Sequence, residues 1–518
     1  MKWANFLHFY QPYSQQKDIL EAVVGQCYRP LLRGLLENKD ARLTINVSGG
    51  LLEALDSKGL KDVTLLFKEL YQSGRVEFTS TACYHAFLPL IPQDEVVRQI
   101  KINNYILRQY LGEDFTPVGF FPPEMGYNTG LERVLEDLGF KYILLDEISG
   151  GSKVKGPLCK VANSNLKAVF RQRAPSNLIM SGIERDSTSL WQTLSRYNDI
   201  CYLVTAMDAE TFGHHRPGLE KAFLEIFNNK GVQFMRLVDV INEPAHHDPA
   251  ETELRPSTWA SSEEDISKGV QFISWNDPKN VLHKWQWELV NLMLALLRDP
   301  AIGTGGTQQV PCVERAYPDA SERAGCCVTG PDPLRTASDK ALASDQFFWA
   351  SAKPWWSMEM IESGAHAVVE VIEKIPGLKK EDAEKAQNLY RNIISTAFEW
   401  QRIGKIREMN REREAFKRIP FKVRTLEEGG TEAEVYQAFI DMMRAQEKQA
   451  REKGEYEKAI LWRDAVYKIE TKLDIYDATN AIDLLRIEIS NEKVEKILDE
   501  YTARYKQIRG GQPEQRSN

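Results

Sequence analysis

Short apolar runs of strand length recur through the first 240 residues and then stop. They lie at 3–9 (WANFLHF), 43–48 (LTINVS), 76–83 (VEFTSTAC), 117–121 (PVGFF), 142–146 (YILLD), 202–207 (YLVTAM) and 232–239 (VQFMRLVD). Helical patterns stand between most of them. Ile19, Val23, Leu31 and Leu35 share one face, and Leu131, Val134, Leu135 and Leu138 share another before Gly139, which reads as a C-cap. Strand–helix–strand alternation demands a parallel sheet, open or closed, and seven strands suit a seven-stranded barrel. One segment breaks the rhythm: KVANSNLKAVFRQR reads as a hairpin turning at Asn163–Asn165, an insertion on the barrel.

From about residue 280 the strand signal is gone. Leu282, Trp285, Leu289, Leu292 and Leu296 form one helical stripe, and residues 355–505 hold long, charge-laced helical patterns whose charges read as solvated faces. The fold class expected is therefore α/β, with a barrel over 1–280, a connecting helix over 281–302 and an all-helical C-terminal domain over 337–508. Residues 303–336 fit neither pattern, because Gly, Pro, Thr and three Cys crowd there. They are either an irregular linker or the product of a locally altered reading frame, and no function rests on them. The last residues, 509–518, are expected to be a disordered tail.

Charge and cysteine content exclude several classes. With 66 Lys and Arg against 74 Asp and Glu the net charge is −8, which disfavours a nucleic-acid surface. The 7 cysteines include no CxxC pair, so neither a zinc framework nor a disulfide scaffold is expected, and a reducing compartment fits. The N-terminal stretch MKWANFLHFYQP lacks the uninterrupted apolar region and small-residue cleavage site of a signal peptide. No run reaches the ~18 apolar residues of a membrane span. The expected location is the cytoplasm, with no membrane partner.

Two strand ends carry the chemistry. The run ending FFPPEMGYN delivers Glu124 behind Pro122 and Pro123, whose rings fix φ and restrict where the acid points. A second strand, YLVTAM, ends in Asp208. In a parallel barrel, functional side chains stand where strands end at the C-terminal face. Two carboxyl groups at one rim suit a glycosidase, in which one attacks the anomeric carbon and the other gives a proton to the departing oxygen. On spacing alone, such acids are more often helix caps or ion-pair partners.

Five ordered motifs resolve this. LHFYQPY (7–13), GRVEFTSTACYHAFLPLIP (74–92), GFFPPEMGYN (119–128), AMDAETFGHH (206–215) and the tryptophan-rich 257–285 together resemble glycoside hydrolase family 57, whose members act on α-glucans. The resemblance covers roughly residues 1–290 and extends loosely to SDQFFWAS. It implies an incomplete (β/α)7 barrel with a helical domain behind it and a retaining mechanism, with Glu124 as nucleophile and Asp208 as general acid/base. It implies a reaction of the α-amylase or 4-α-glucanotransferase type on an α-glucan or malto-oligosaccharide, with no metal and no cofactor. His8 and Gln11 on the first strand, Glu77 and His85 at the rim after the third, Trp259, Asp345 and Trp349 are the expected substrate-binding residues. Asp345 would reach back from the helical domain, which then completes the substrate groove. Glu210 either orients the site or forms a loop ion pair, and adjacent His214 and His215 are not expected to bind metal. The chain departs from the family at Tyr10, where many members carry a second histidine. Two other classes stay open: a metal-dependent carbohydrate deacetylase on a similar barrel, and a non-catalytic glucan-binding protein. The helical half leaves room for a homodimer.

Overall fold

A computed structural model describes residues 1–154, 156–182, 184, 186–195, 202–243, 249–299, 332–353, 355–409 and 433–471, with short pieces between 484 and 497. Most of the irregular stretch 303–336, and the whole expected tail 509–518, lie outside the described residues. Among the described residues there are ten strands: β1 (Lys2–Phe9), β2 (Leu43–Val47), β3 (Val76–Thr79), β4 (Gly119–Phe120), β5 (Tyr142–Asp146), β6 (Leu158–Val161), β7 (Lys167–Arg171), β8 (Tyr202–Asp208), β9 (Gln233–Met235) and β10 (Glu251–Thr252). Each of the seven apolar runs contains one of them.

One sheet runs β3-β2-β1-β8, with β9 beside the start of β1, and the other runs β10-β6-β7-β5-β4. Every pairing is parallel except β6 with β7. A parallel bridge from Ser80 to Phe120 joins the sheets on one side, with Ser80 N–H on the Gly119 carbonyl at 3.0 Å and Phe121 N–H on the Ser80 carbonyl at 2.9 Å, and Gln172 N–H bonds the Val204 carbonyl at 2.9 Å on the other. β2 and β5 are buried along their whole length, and all of β1 after Lys2 is buried. Strands covered on both faces need apolar residues at every position, which is why the sequence shows runs and not alternation.

The hairpin forms, with Asn163 at φ 57° in its turn. It is not a mere insertion, however. β7 pairs in parallel with β5 over five positions, Lys167 to Arg171, and so belongs to the main sheet. The local turn signal hid this long-range pairing, which places Arg171 at a strand end level with Asp146.

The chain also divides elsewhere than at 280 and 337. Residues 1–176 and 186–410 form one compact unit, and 177–185 with 411–518 form a second. The reason is a shared core: Phe120, Ile143 and Leu145 of the sheet pack in one cluster with Leu282, Leu289 and Met293, and with Ile361, Val368 and Ile393 of the helices Met358–Glu373 and Lys380–Ile403. Burying each such side chain contributes about 1.5–3 kcal/mol, so these helices belong energetically to the sheet. In the second unit, helices Ala433–Glu452 and Tyr456–Thr471 pack through Ala438, Met443, Trp462 and Ala465.

The helix Pro333–Ala341 begins inside the stretch expected to be irregular, with Asp332 accepting from Leu334 N–H at 2.9 Å and proline at the first position. This helix and the strap that follows it are fastened to the first half by buried polar contacts. Arg98 holds Asp339 through two bonds of 2.7 Å, His283 Nε2 meets the Phe347 carbonyl at 2.8 Å, Asn280 Nδ2 donates to the Ala350 carbonyl at 2.9 Å, and Lys353 Nζ lies 2.6 Å from Asp277. Between these fastenings lie Ser344 and Asp345. No described helix is long and apolar enough to cross a membrane.

Candidate active site

Strand register builds the floor of the site. Thr79, Asn46, His8 and Asp208 are direct partners across β3, β2, β1 and β8. Parallel partners at one level point the same way, and the contacts agree: Asn46 Nδ2 donates to Thr79 Oγ1 at 3.1 Å, and Asn46 Oδ1 lies 2.9 Å from His8 Nδ1. Because the amide nitrogen is committed to Thr79, its oxygen must accept, so His8 carries its proton on Nδ1. Burial holds His8 at about 4, hence neutral near pH 7, and its buried Nε2 has no partner. That leaves one bare acceptor on the expected sugar-binding histidine.

Glu124 follows β4 in a strained turn. Its φ of 62° and ψ of 16° are left-handed, and Met125 continues at φ 50°. A non-glycine residue there costs about 1 kcal/mol and persists only when neighbours over-determine it. They do so here: the Pro122 carbonyl accepts from Met125 N–H at 2.8 Å and the Pro123 carbonyl from Gly126 N–H at 2.9 Å. The carboxyl group is then held by Trp259 Nε1, which donates to Oε2 at 2.7 Å, while Oε1 lies 4.0 Å from His85 Nδ1. Burial first, then the charges of Asp208 and Asp345, push Glu124 up to about 8, against the pull of the Trp259 bond.

Asp208 closes β8. Burial raises it to about 6, and the Arg171 guanidinium draws it back. Arg171 is buried, with Nη1 on Asp146 Oδ2 and Nε on the Ala206 carbonyl, both at 2.8 Å. Its guanidinium also sits 5.9 Å from the centre of the Trp259 ring. Arg173 buttresses the same tryptophan, with Nε 2.6 Å from Asp146 Oδ1 and Nη2 3.0 Å from the Trp259 carbonyl.

The other expected residues sort into three groups. His85, Asp345 and Gln11 come together around the carboxylates. His85, at φ 60°, has Nδ1 3.0 Å from Ser344 Oγ and a buried Nε2 without a partner. Asp345 accepts from the Tyr10 hydroxyl at 2.5 Å and is raised by burial to about 6. Gln11 hydrogen-bonds Glu210, which also takes the Tyr28 hydroxyl and is raised to about 8 by burial and by Asp208. Glu210 is therefore an orienting group for its loop and not an ion-pair member.

Two of the expected residues are tryptophans, Trp259 and Trp349. Trp259 presents its N–H to Glu124, and its ring stands steeply inclined to those of His8 and Phe121. Trp349 is half-buried, one turn after Asp345, and edge-on to Trp355. Trp275 is core, stacked on Phe87 at 4.8 Å.

Glu77 is a correction. It is the second residue of β3, paired with Thr44, and lies within the strand and not at the rim after it. Its carboxyl group accepts from Tyr142 Oη at 2.7 Å, Thr44 Oγ1 at 2.8 Å and Val238 N–H at 2.9 Å. Thr44 and Tyr142 stand near the start of their strands, so Glu77 plugs the end opposite to Glu124. Reading the motif as one rim segment overlooked that β3 continues for two residues beyond it.

Arg171, Tyr28 and Asn46 were missed. Arg171 had a signal, an arginine closing an apolar run, but the hairpin reading removed it from the rim. Tyr28 had none: it enters through a π turn at Val24–Tyr28 within the helical stretch 17–37, next to Pro30, whose absent N–H cannot serve the Gln26 carbonyl. Among the described residues no group of three His, Cys, Asp or Glu is arranged to hold a metal ion.

Residues 2–254 match the family model described as Glycosyl hydrolase family 57. Alpha-amylase 1 of Dictyoglomus thermophilum is 28% identical over 142 residues, 27% of this chain and 20% of that protein. A putative alpha-amylase of Methanocaldococcus jannaschii is 24% identical over 294 residues, 51% of this chain and 61% of that protein. The chain thus spans less than two thirds of either relative's length. Among solved structures, a GH57-type branching enzyme from Pyrococcus horikoshii superposes with a TM-score of 0.56 at 14% identity, over 77% of this chain and 96% of that one. At that identity the likeness speaks for the fold alone.

Proposed function

We propose that the chain is a member of glycosyl hydrolase family 57, whose model residues 2–254 match, and that it cleaves or transfers α-glucan chains with retention of configuration. The observation that carries the reading is the pairing at one end of the sheets of Glu124, gripped by Trp259, with Asp208, whose charge acts on it. Glu124 attacks the anomeric carbon to form a glycosyl-enzyme, and Asp208 gives its proton to the leaving oxygen. Asp208 then takes a proton from water or from an incoming sugar hydroxyl. His8 Nε2 and His85 Nε2, buried and without partners, receive hydrogen bonds from sugar hydroxyls. Whether water or sugar resolves the intermediate decides between an amylase and a glucanotransferase.

The strand order supports the finer architecture. Parallel pairings link β8, β1, β2 and β3, and β4, β5 and β7, with the Ser80–Phe120 bridge between β3 and β4. Read as one ring, these seven strands form an incomplete (β/α)7 barrel that lacks a strand ladder between β7 and β8, where Gln172 N–H bonds the Val204 carbonyl at 2.9 Å, and the first unit's helices after 280 complete the groove through Asp345.

Of the two carboxyl groups, Glu124 is pushed up further and so holds the shared proton more readily. A sugar reverses this, because positive charge developing at the anomeric carbon favours an ionised Glu124 while the glycosidic oxygen offers Asp208 an acceptor. The pair carries one proton between about 6 and about 8, so kcat/KM is expected to be bell-shaped with its maximum between those limbs. Below the window the nucleophile is neutral, and above it the acid is lost. A profile still rising at pH 9, or peaking below pH 5, would contradict the assignment (range from the ordinary carboxylate scale, about 4).

The class itself is tested with maltoheptaose and glycogen, products being followed by chromatography. Longer and shorter oligomers together are expected for transfer, short ones alone for hydrolysis, and no change on either substrate removes the glucan reading. A metal-dependent deacetylase draws no support from the described residues.

A further inference from the structure

We propose that Tyr10 is a positioning residue, whose hydroxyl anchors Asp345 and whose ring backs His85 so that both flank Glu124 in one fixed arrangement. In its kinetic consequence the proposal rests on the glucan-active reading of the site. Tyr10 follows directly on β1. Its hydroxyl donates to Asp345 Oδ2 at 2.5 Å, a contact between residues 335 positions apart. Its ring lies on His85 with centroids 3.9 Å apart and planes 19° from parallel, and it stacks on His8 at 5.7 Å. Its backbone is fixed as well, N–H to Glu210 Oε1 at 3.4 Å and carbonyl to the Tyr28 hydroxyl at 3.2 Å.

One residue therefore touches the end of β1, the loop after β3 and the strap through its side chain, and the loop after β8 through its backbone N–H. Asp345 in turn faces Tyr10, Glu124 and Tyr13, and no cation is among them. A neutral donor suits this place. Burial and the carboxylates hold the Tyr10 phenol well above its ordinary range, so it keeps its proton and donates at every working pH. Histidine, which the family resemblance leads one to expect here, has a shorter ring and a titration of its own. The tyrosine thus ties the strap to the barrel end by a bond that pH does not switch.

The test combines a titration with kinetics. In protein carrying carbon-13 at aspartate carboxyls, the Asp345 signal is identified by its loss in Asp345→Asn. It is expected to titrate near 6 in the wild type and at higher pH in Tyr10→Phe, because the Tyr10 bond favours the ionised form. Tyr10→Phe is also expected to lower kcat on maltoheptaose about tenfold with KM within about twofold, and Tyr10→Phe/Asp345→Asn to be no slower than Asp345→Asn alone. An unmoved Asp345 midpoint overturns the proposal whatever the activity. So does a shifted midpoint with unchanged kcat, or losses that multiply in the double variant. If the wild type turns over neither maltoheptaose nor glycogen, the glucan reading fails, while the Asp345 titration still decides whether the anchor exists.

Discussion

A Glu124→Gln variant is expected to lose about three to five orders of magnitude of kcat while becoming more stable than the wild type above neutral pH. Both effects come from one burial. Glutamine keeps the shape and can still accept from Trp259 Nε1, but it has no oxygen basic enough to bond the anomeric carbon. An unfolded glutamate ionises near its ordinary 4.5, whereas folded Glu124 keeps its proton to about 8. Between those values the native state holds a proton that the unfolded chain has released, so this group's contribution to stability falls as pH rises through the window. Glutamine removes that dependence. Denaturant unfolding at pH 5 and pH 9 should show the two proteins close at the lower pH and the variant ahead by about 2 kcal/mol at the higher. Retention of more than about a hundredth of the wild-type kcat would remove Glu124 from the nucleophile's role.

The same physics explains how much of this was legible beforehand. Parallel strands buried on both faces must be apolar throughout, so all seven runs stood out. Their order around the sheet did not, because β7 looks local: its turn is written in Asn163–Asn165, while its parallel partner β5 is written nowhere in its own residues. Glu124 and Asp208 stood out because each closes an apolar run and the motifs around them fall in order. Arg171 closes a run too, and only its misplacement on a supposed insertion concealed it. Glu77 shows the opposite error, an acid inside a family motif that the backbone turns toward Tyr142 and Thr44 and away from the chemistry. Contacts such as Tyr10 with Asp345 depend on the packing of distant elements, and no periodicity announces them. The helical patterns after 355 coincide with Met358–Glu373 and Lys380–Ile403, but the membership of these two helices in the first unit depends on which apolar stripe meets which, and a stripe does not name its partner.

Arg98→Met is expected to cost about 3–5 kcal/mol of stability, the largest loss among single changes outside the site. Arg98 and Asp339 are both buried and joined by two bonds of 2.7 Å, and Gln99 Nε2 donates to the Asp339 carbonyl at 3.1 Å. Despite these bonds Asp339 sits above the ordinary carboxylate range, because burial outweighs what Arg98 returns. The pair therefore contributes little net stability as a pair, yet removing one member strands the other charge. Arg98→Met/Asp339→Leu removes both charges and is expected to recover stability to within about 1 kcal/mol of wild type by denaturant unfolding. Its kcat, however, should stay depressed. Ser344 lies five positions after Asp339 and Asp345 six, and the two-pronged Arg98 contact fixes the register in which that strap meets His85 and Tyr10. Methionine and leucine fill the space without specifying a register. Full recovery of both stability and kcat in the double variant would show that the ion pair has no part in placing Asp345.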